Sequence, residues 1–197
     1  MIDKDRQANS LMSNLSRDQL RALAPSPYVR RFCESIVRSA GEKPVLDVAC
    51  GGGRNSILLA YLGAVVIGID VELGRAKRSL DDLSGSPLKS ACNRIELVYC
   101  DLIRQPWPFK ADEFGGIINV HFLYLPLLKS FSHSLVSGGV LLIETEPAHG
   151  GNYLQLPAAG VLKPTLGPGL RIVNYRERPT GPPEIGAVSV KLFARKL

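Results

Sequence analysis

"VLDVACGGGRNSILL", residues 45–59, runs a short apolar strand into three consecutive glycines and then into a stretch with helical spacing. A glycine-rich turn of this kind lets backbone approach a ligand, and the helix start behind it offers free N–H groups at the positive end of the helix dipole. Glycines also serve plain turn geometry, so the surroundings have to decide.

Outward from the turn, the chain alternates. Strand-like runs at 45–49, 64–69, 95–100, 116–121 and 139–145 are interleaved with helical runs at 54–62, 73–83 and 124–135. That rhythm predicts an α/β fold, a parallel sheet covered by helices on both faces. Residues 1–40 read as a helical extension. Ser16 and Gln19 have the spacing of a capping box, and Ser26-Pro27 starts a helix carrying Val29, Phe32, Cys33, Ile36 and Val37 on one face before Gly41 stops it. The remaining residues, 41–197, are expected to form the sheet-bearing domain.

The rhythm breaks after Pro147. Nine of the 23 residues from 147 to 169 are Gly or Pro, which argues against a long helix there. The last two apolar runs, Leu170 to Tyr175 and Ala187 to Phe193, flank the turn-rich "RERPTGPPEIG" and leave no room for a crossover, so they are expected to pair antiparallel.

Composition narrows the classes. A chain of 197 residues, 45% hydrophobic, suits one core. The net charge of +6 comes from 24 scattered Lys and Arg with no like-charge block, which describes a basic surface more than a dedicated nucleic-acid groove. Cys33, Cys50, Cys92 and Cys100 form no CxxC pair and have no His at ligand spacing, so neither a zinc site nor a disulfide framework is expected. The first 24 residues lack the apolar core of a signal peptide, and the longest uncharged apolar stretch, Ile57 to Ile69, falls short of the roughly 20 residues a membrane span needs. A cytoplasmic protein without membrane contact is the expectation.

Three readings of the glycine turn compete. A phosphate-binding loop needs GxxxxGK[ST], and no Lys-Ser or Lys-Thr follows. A dinucleotide fingerprint would use Gly51 and Gly53 but finds Ser56 at its third position. A turn for S-adenosylmethionine wants an acid at the end of the strand and then GxGxG, here Asp47-Val48-Ala49-Cys50-Gly51-Gly52-Gly53 with Ala49 in the first glycine's place. That ligand carries an amino acid, a sulfonium, a ribose and an adenine, so its site wants carboxylates. Asp70 ends the second strand 19 residues past Gly51, where its carboxylate is placed for the ribose hydroxyls. Asp101 ends the third, placed for an adenine amino group with Leu102 over the ring. Each acid alone has a plain alternative as a helix cap or turn residue; together, at strand ends along one crevice, they favour the donor.

The segments "VLDVACGGGRNSILLAYLGAVVIGIDVE", "DLIRQPWPF" and "FGGIINVHFLYLPLLKSFSHSLVSGGVLLIETEP" together resemble class I S-adenosylmethionine-dependent methyltransferases, and the CGxGRN turn with "FLYxPL" resembles the tellurite-resistance methyltransferase-like group. The resemblance implies a Rossmann-like, doubly wound seven-stranded sheet of order 3-2-1-4-5-7-6 with strand seven antiparallel. It implies that Asp47, Ala49, Gly51 and Gly53 face the methionine moiety, Asp70 the ribose, and Asp101 with Leu102 the adenine, while Asn119 to His121 lie beside the methyl group and the acceptor. Gly115 stands where the family usually has Asp.

Methyl transfer from a sulfonium needs positioning and exclusion of water, and needs a base only where the acceptor carries a proton. His121 is the candidate base, set against a plainer role as a polar wall or a partner of a strand carbonyl. Tyr124 either lines the acceptor site or caps the next helix. Arg54 is read as a contact for a carboxylate or anionic acceptor, Asn55 as a hydrogen bond to a neighbouring loop, Trp107 as loop packing, Tyr28 as a lid on the donor site, and His133 and His149 as structural or solvated. The expected activity is transfer of a methyl group from S-adenosylmethionine to a small-molecule acceptor. RNA methylation and a non-catalytic donor-binding regulator stand as alternatives, and a nicotinamide-dependent oxidoreductase as a weaker one.

Overall fold

A computed structural model of the chain describes residues 12, 14–83, 85–146 and 156–197. The Ser16–Gln19 capping box is formed in both directions and starts α1 (Arg17–Leu23). Ser26 caps α2 (Pro27–Ala40) by accepting from the N–H groups of Tyr28 and Val29. The buried face of α2 is Tyr28, Val29, Cys33, Ile36, Val37 and Ala40, which includes the expected stripe except for Phe32, only partly buried at its edge. Burying each of its large side chains contributes about 1.5–3 kcal/mol.

The sheet comprises β1 (Val45–Val48), β2 (Val66–Asp70), β3 (Ile95–Tyr99), β4 (Phe114–Val120), β5 (Leu135–Glu144), β6 (Leu170–Pro179) and β7 (Val188–Lys196). Their order is β3-β2-β1-β4-β5-β7-β6. β1 to β5 run parallel, and β7 is antiparallel to both β5 and β6. This is the Rossmann-like topology expected, with the terminal hairpin at one edge. The helices are α3 (Arg54–Tyr61), α4 (Gly74–Asp81), α5 (Leu128–Ser134) and the four-residue α6 (Leu162–Thr165), with 3₁₀ segments at Pro87–Arg94, Leu125–Leu127 and Pro183–Ile185.

Two apolar clusters cover the two faces. One gathers Ile36, Leu58, Ile118, Leu142 and Phe193 under α2 and α3. The other gathers Leu46, Ile117, Phe131, Leu141 and Leu192 under α5. Because β1, β4 and the end of β5 are buried on both sides, they read as continuous apolar runs.

Several boundaries differ from expectation for identifiable reasons. The helix expected over 124–135 begins as a 3₁₀ turn at Leu125–Leu127 and becomes α-helical only from Leu128. β5 starts at Leu135, before its glycines, and absorbs them in a register shift opposite Phe114 and Gly116. β6 runs on through Arg176, Glu177 and Arg178, a polar stretch that reads as turn, because β7 supplies a partner for each of them. Gly115 also finds its explanation here: a Cβ at this position would lie 2.4 Å from the Cα of Ala40, so the end of α2 occupies the space an Asp side chain would need.

Candidate functional site

The carboxyl ends of β1, β2 and β4 meet at the glycine turn, the place where open α/β sheets bind ligands. Departures from ordinary backbone at three alternate residues shape that turn. Ala49, Gly51 and Gly53 all have left-handed φ, at 55°, 58° and 74°. The glycines take this conformation freely, whereas the Cβ of Ala49 makes it costly. A Cβ at Gly51 or Gly53 would meet its nearest neighbour at only 3.5 or 3.7 Å, so φ, not crowding within the protein, is what asks for glycine there.

Asp47 is 1% exposed and accepts a 2.5 Å hydrogen bond from the Ser56 hydroxyl on α3. Burial pushes its carboxyl up to about 7, with Ser56 pulling the other way and the nearby Asp70 adding to the rise. Burial, with the charges of Asp47 and Asp70, also pushes the Cys50 thiol up to about 12. Asp70 takes the N–H of Gly51 on Oδ2 at 2.8 Å and the N–H of Glu72 on Oδ1 at 2.9 Å. Each oxygen keeps a lone pair for a further donor. Asp101 uses Oδ1 to cap the N–H groups of Ile103 and Arg104, both at 3.1 Å, while Oδ2 stands 3.8 Å from the exposed Arg104 guanidinium. Half of that carboxylate therefore serves its own turn. Leu102 is packed in the α5-side cluster, 7% exposed, next to Asp101.

Asn119 sits on β4 in register with Val48 of β1. It is fully buried, and neither its Nδ2 nor its Oδ1 has a hydrogen-bond partner. A buried amide left in this state costs free energy that other buried polar groups avoid by pairing.

His121 is the first residue after β4 and also takes a left-handed φ, 64°. Its N–H donates to the Glu144 carbonyl at 2.7 Å, and its Nε2 stands 3.7 Å from the Glu146 carboxylate, with the side chain 42% exposed. Tyr124 does not cap the following turn with its side chain; its carbonyl accepts from Leu127 and its ring is partly exposed. Asn55 does make the expected loop contact, accepting the Ser26 N–H at 2.9 Å. Trp107 packs among Phe109 and Phe131 and donates Nε1 to Ser134 at 2.9 Å. The Tyr28 hydroxyl donates to Asn174 on β6 at 3.0 Å, and Lys191 of β7 lies over its ring. His149 falls outside the described residues.

Sequence reasoning missed one polar cluster. Glu144, 1% exposed at the end of β5, accepts a hydrogen bond from the Ser26 hydroxyl and holds the Lys191 ammonium 2.6 Å from Oε1. Lys191 also stands 3.9 Å from Glu146, which faces His121. The signal was present: "VLLIE" closes an apolar strand on an acid, as the strands ending in Asp70 and Asp101 do, and Lys191 interrupts the apolar "VSVKLF".

No family model matches the chain. A stretch of 47 residues is 49% identical to an uncharacterized methyltransferase of Synechocystis sp., spanning 22% of this chain and 22% of that protein. Among solved structures, geranyl diphosphate C-methyltransferase from Streptomyces coelicolor, bound to Mg²⁺, geranyl diphosphate and S-adenosyl-L-homocysteine, superposes with a TM-score of 0.63 at 12% identity, over 93% of this chain and 87% of that one. N-methyltransferase NodS from Bradyrhizobium japonicum, bound to S-adenosyl-L-homocysteine, gives 0.58 at 17% identity over 96% and 98%. The [4+2]-cyclase SpnF gives 0.60 at 17% identity over 84% and 80%. The chain has the fold these proteins share, and one fold hosts more than one chemistry.

Proposed function

We propose that the chain is an S-adenosylmethionine-dependent methyltransferase acting on a small-molecule acceptor. The observation that carries this reading is Asn119, a fully buried amide with both polar atoms unpartnered, on the strand beside β1 and its glycine turn. A ligand with both donors and acceptors would satisfy it. The acids around it suit the same molecule. Asp47 lies under the turn for the cationic methionine end, Asp70 keeps an open lone pair on each oxygen for the two ribose hydroxyls, and Asp101 has Oδ2 left for the adenine amino group with Leu102 beside it. Ala49, Gly51 and Gly53 hold backbone against the methionine end.

When bound, the donor supplies a sulfonium methyl already activated for in-line displacement. What the protein adds is position. The turn and Asn119 fix one reactant and the β4–β5 end the other, a contribution worth up to about 7–11 kcal/mol in model reactions. His121 takes the proton of an acceptor that carries one, with Glu146 placed to stabilise the imidazolium. Tyr124 lines the acceptor side with its partly exposed ring.

Calorimetric titration tests the donor assignment. S-Adenosylhomocysteine should bind and NADH should not; binding of NADH alone would overturn it.

A further inference from the structure

Away from the proposed donor site, the surface carries a concavity of about 460 Å³ between the start of α2 and the β6–β7 hairpin, lined by Tyr28, Arg31, Asn174, Arg176, Arg178 and Lys191 among others. Among the described residues no carboxylate lines it. Its floor is one face of the hairpin. Arg176 is the direct cross-strand partner of Lys191, and Arg178 that of Ser189, so these side chains project together. Like charges directly opposite each other destabilise a strand pair, and a terminal hairpin would more simply place an acid in one of the two positions.

The charges are also unequally compensated. Lys191 is held by Glu144 and Glu146. Arg31 lies over the Phe32 ring and close enough to Tyr28 to act on its hydroxyl, and among the described residues none of Arg31, Arg176 and Arg178 has an ion-pair partner. Three guanidiniums are therefore left converging on one small cleft. Guanidiniums match phosphate oxygens in pairs, and a singly charged carboxylate would leave two of the three unanswered. The volume is that of a small-molecule site, whereas nucleic-acid recognition buries on the order of 1,000 Å² of protein surface or more. Lys191 ties the cleft to the acceptor side: the same ammonium that lines it stands 3.9 Å from Glu146, whose carboxylate is 3.7 Å from His121.

We propose that this cleft binds the phosphate or diphosphate group of the methyl acceptor, anchoring the substrate by its anionic end while its nucleophile lies toward His121. The proposal rests on the methyl-transfer reading, but the two are tested separately. Inorganic pyrophosphate and acetate are titrated, at fixed ionic strength, into the wild type, into Arg176→Gln/Arg178→Gln, and into Lys77→Gln/Lys89→Gln, which removes the same charge from exposed positions elsewhere; S-adenosylhomocysteine is titrated into all three. The expected result is pyrophosphate binding that weakens at least about tenfold in the arginine pair alone, much weaker acetate binding, and equal S-adenosylhomocysteine affinity throughout. Absence of pyrophosphate binding, equal loss in the lysine pair, or acetate binding as tightly would overturn it. So would displacement of pyrophosphate by a single-stranded RNA oligonucleotide that loses affinity in the arginine pair, which would assign the cleft to nucleic acid. Loss of S-adenosylhomocysteine binding in every protein would instead strike at the donor reading.

Discussion

Gly51 donates its backbone N–H to Oδ2 of Asp70 at 2.8 Å, tying the glycine turn to the end of the second strand. The same carboxylate that shapes the turn is thus presented at its mouth. Asp70→Ala should weaken S-adenosylhomocysteine binding by about 1–3 kcal/mol, roughly fivefold to 150-fold, as expected for loss of a charged acceptor. Calorimetric titration measures this; unchanged affinity would remove Asp70 from the ribose role.

Ala49 holds a left-handed φ of 55° that favours glycine. An Ala→Gly change usually destabilises, because it frees the unfolded chain by about 0.4–1 kcal/mol. Here relief of the left-handed cost, about 1–2 kcal/mol, outweighs that term. Ala49→Gly should therefore stabilise the protein by up to about 1.6 kcal/mol. Urea denaturation midpoints give the sign, and a decrease would show that the Cβ contributes packing that offsets its strain.

Much of this site was legible because its signals are local. The turn glycines, the acids at strand ends and the helix caps at Ser16 and Ser26 all announce themselves within a few residues, and they stand at the turn, the carboxyl edge of the sheet and the helix starts where the sequence puts them. What escaped depended on contacts between distant segments. Glu144 and Lys191 are separated by most of the terminal hairpin and meet only through β5–β7 pairing. Gly115 reads as a missing acid until the end of α2 is seen lying across it. Tyr28 reads as a donor lid, yet the direction of α2 carries its hydroxyl to Asn174 on β6.

Asp47 gives the protein a pH dependence opposite in sign to that of most carboxylates. Its folded pKa is raised to about 7, so between about pH 4 and pH 7 the folded state holds a proton that the unfolded state has lost. Stability from this group is fully present below about pH 4 and is lost as pH rises through about 7. Asp47→Asn, which keeps the neutral shape, should flatten that slope. Chemical denaturation at a series of pH values tests this, and an identical slope in both proteins would place the titration elsewhere.

The Glu144–Lys191 pair should behave as a unit. Lys191→Met strands a buried carboxylate and should cost about 3 kcal/mol, whereas Glu144→Gln leaves a partly exposed ammonium that water can reach and should cost less, about 2 kcal/mol. The double variant should lose clearly less than the sum. A double-mutant cycle on unfolding free energies measures the coupling, and strict additivity would mean that the 2.6 Å contact contributes nothing.

Asn119 sets function against stability most directly. In the free protein its amide is buried without a partner, so Asn119→Leu, which keeps the branching of the side chain and removes both polar atoms, should stabilise the chain by up to about 1–3 kcal/mol, the range for removing an unsatisfied buried polar group, less what its larger methyl groups cost in packing. The same change removes the donor and acceptor offered to the ligand and should weaken S-adenosylhomocysteine binding by about tenfold or more. Opposite signs in the two measurements are what a ligand-directed amide requires. A purely structural residue would lose stability on substitution, and affinity would follow only as far as folding did.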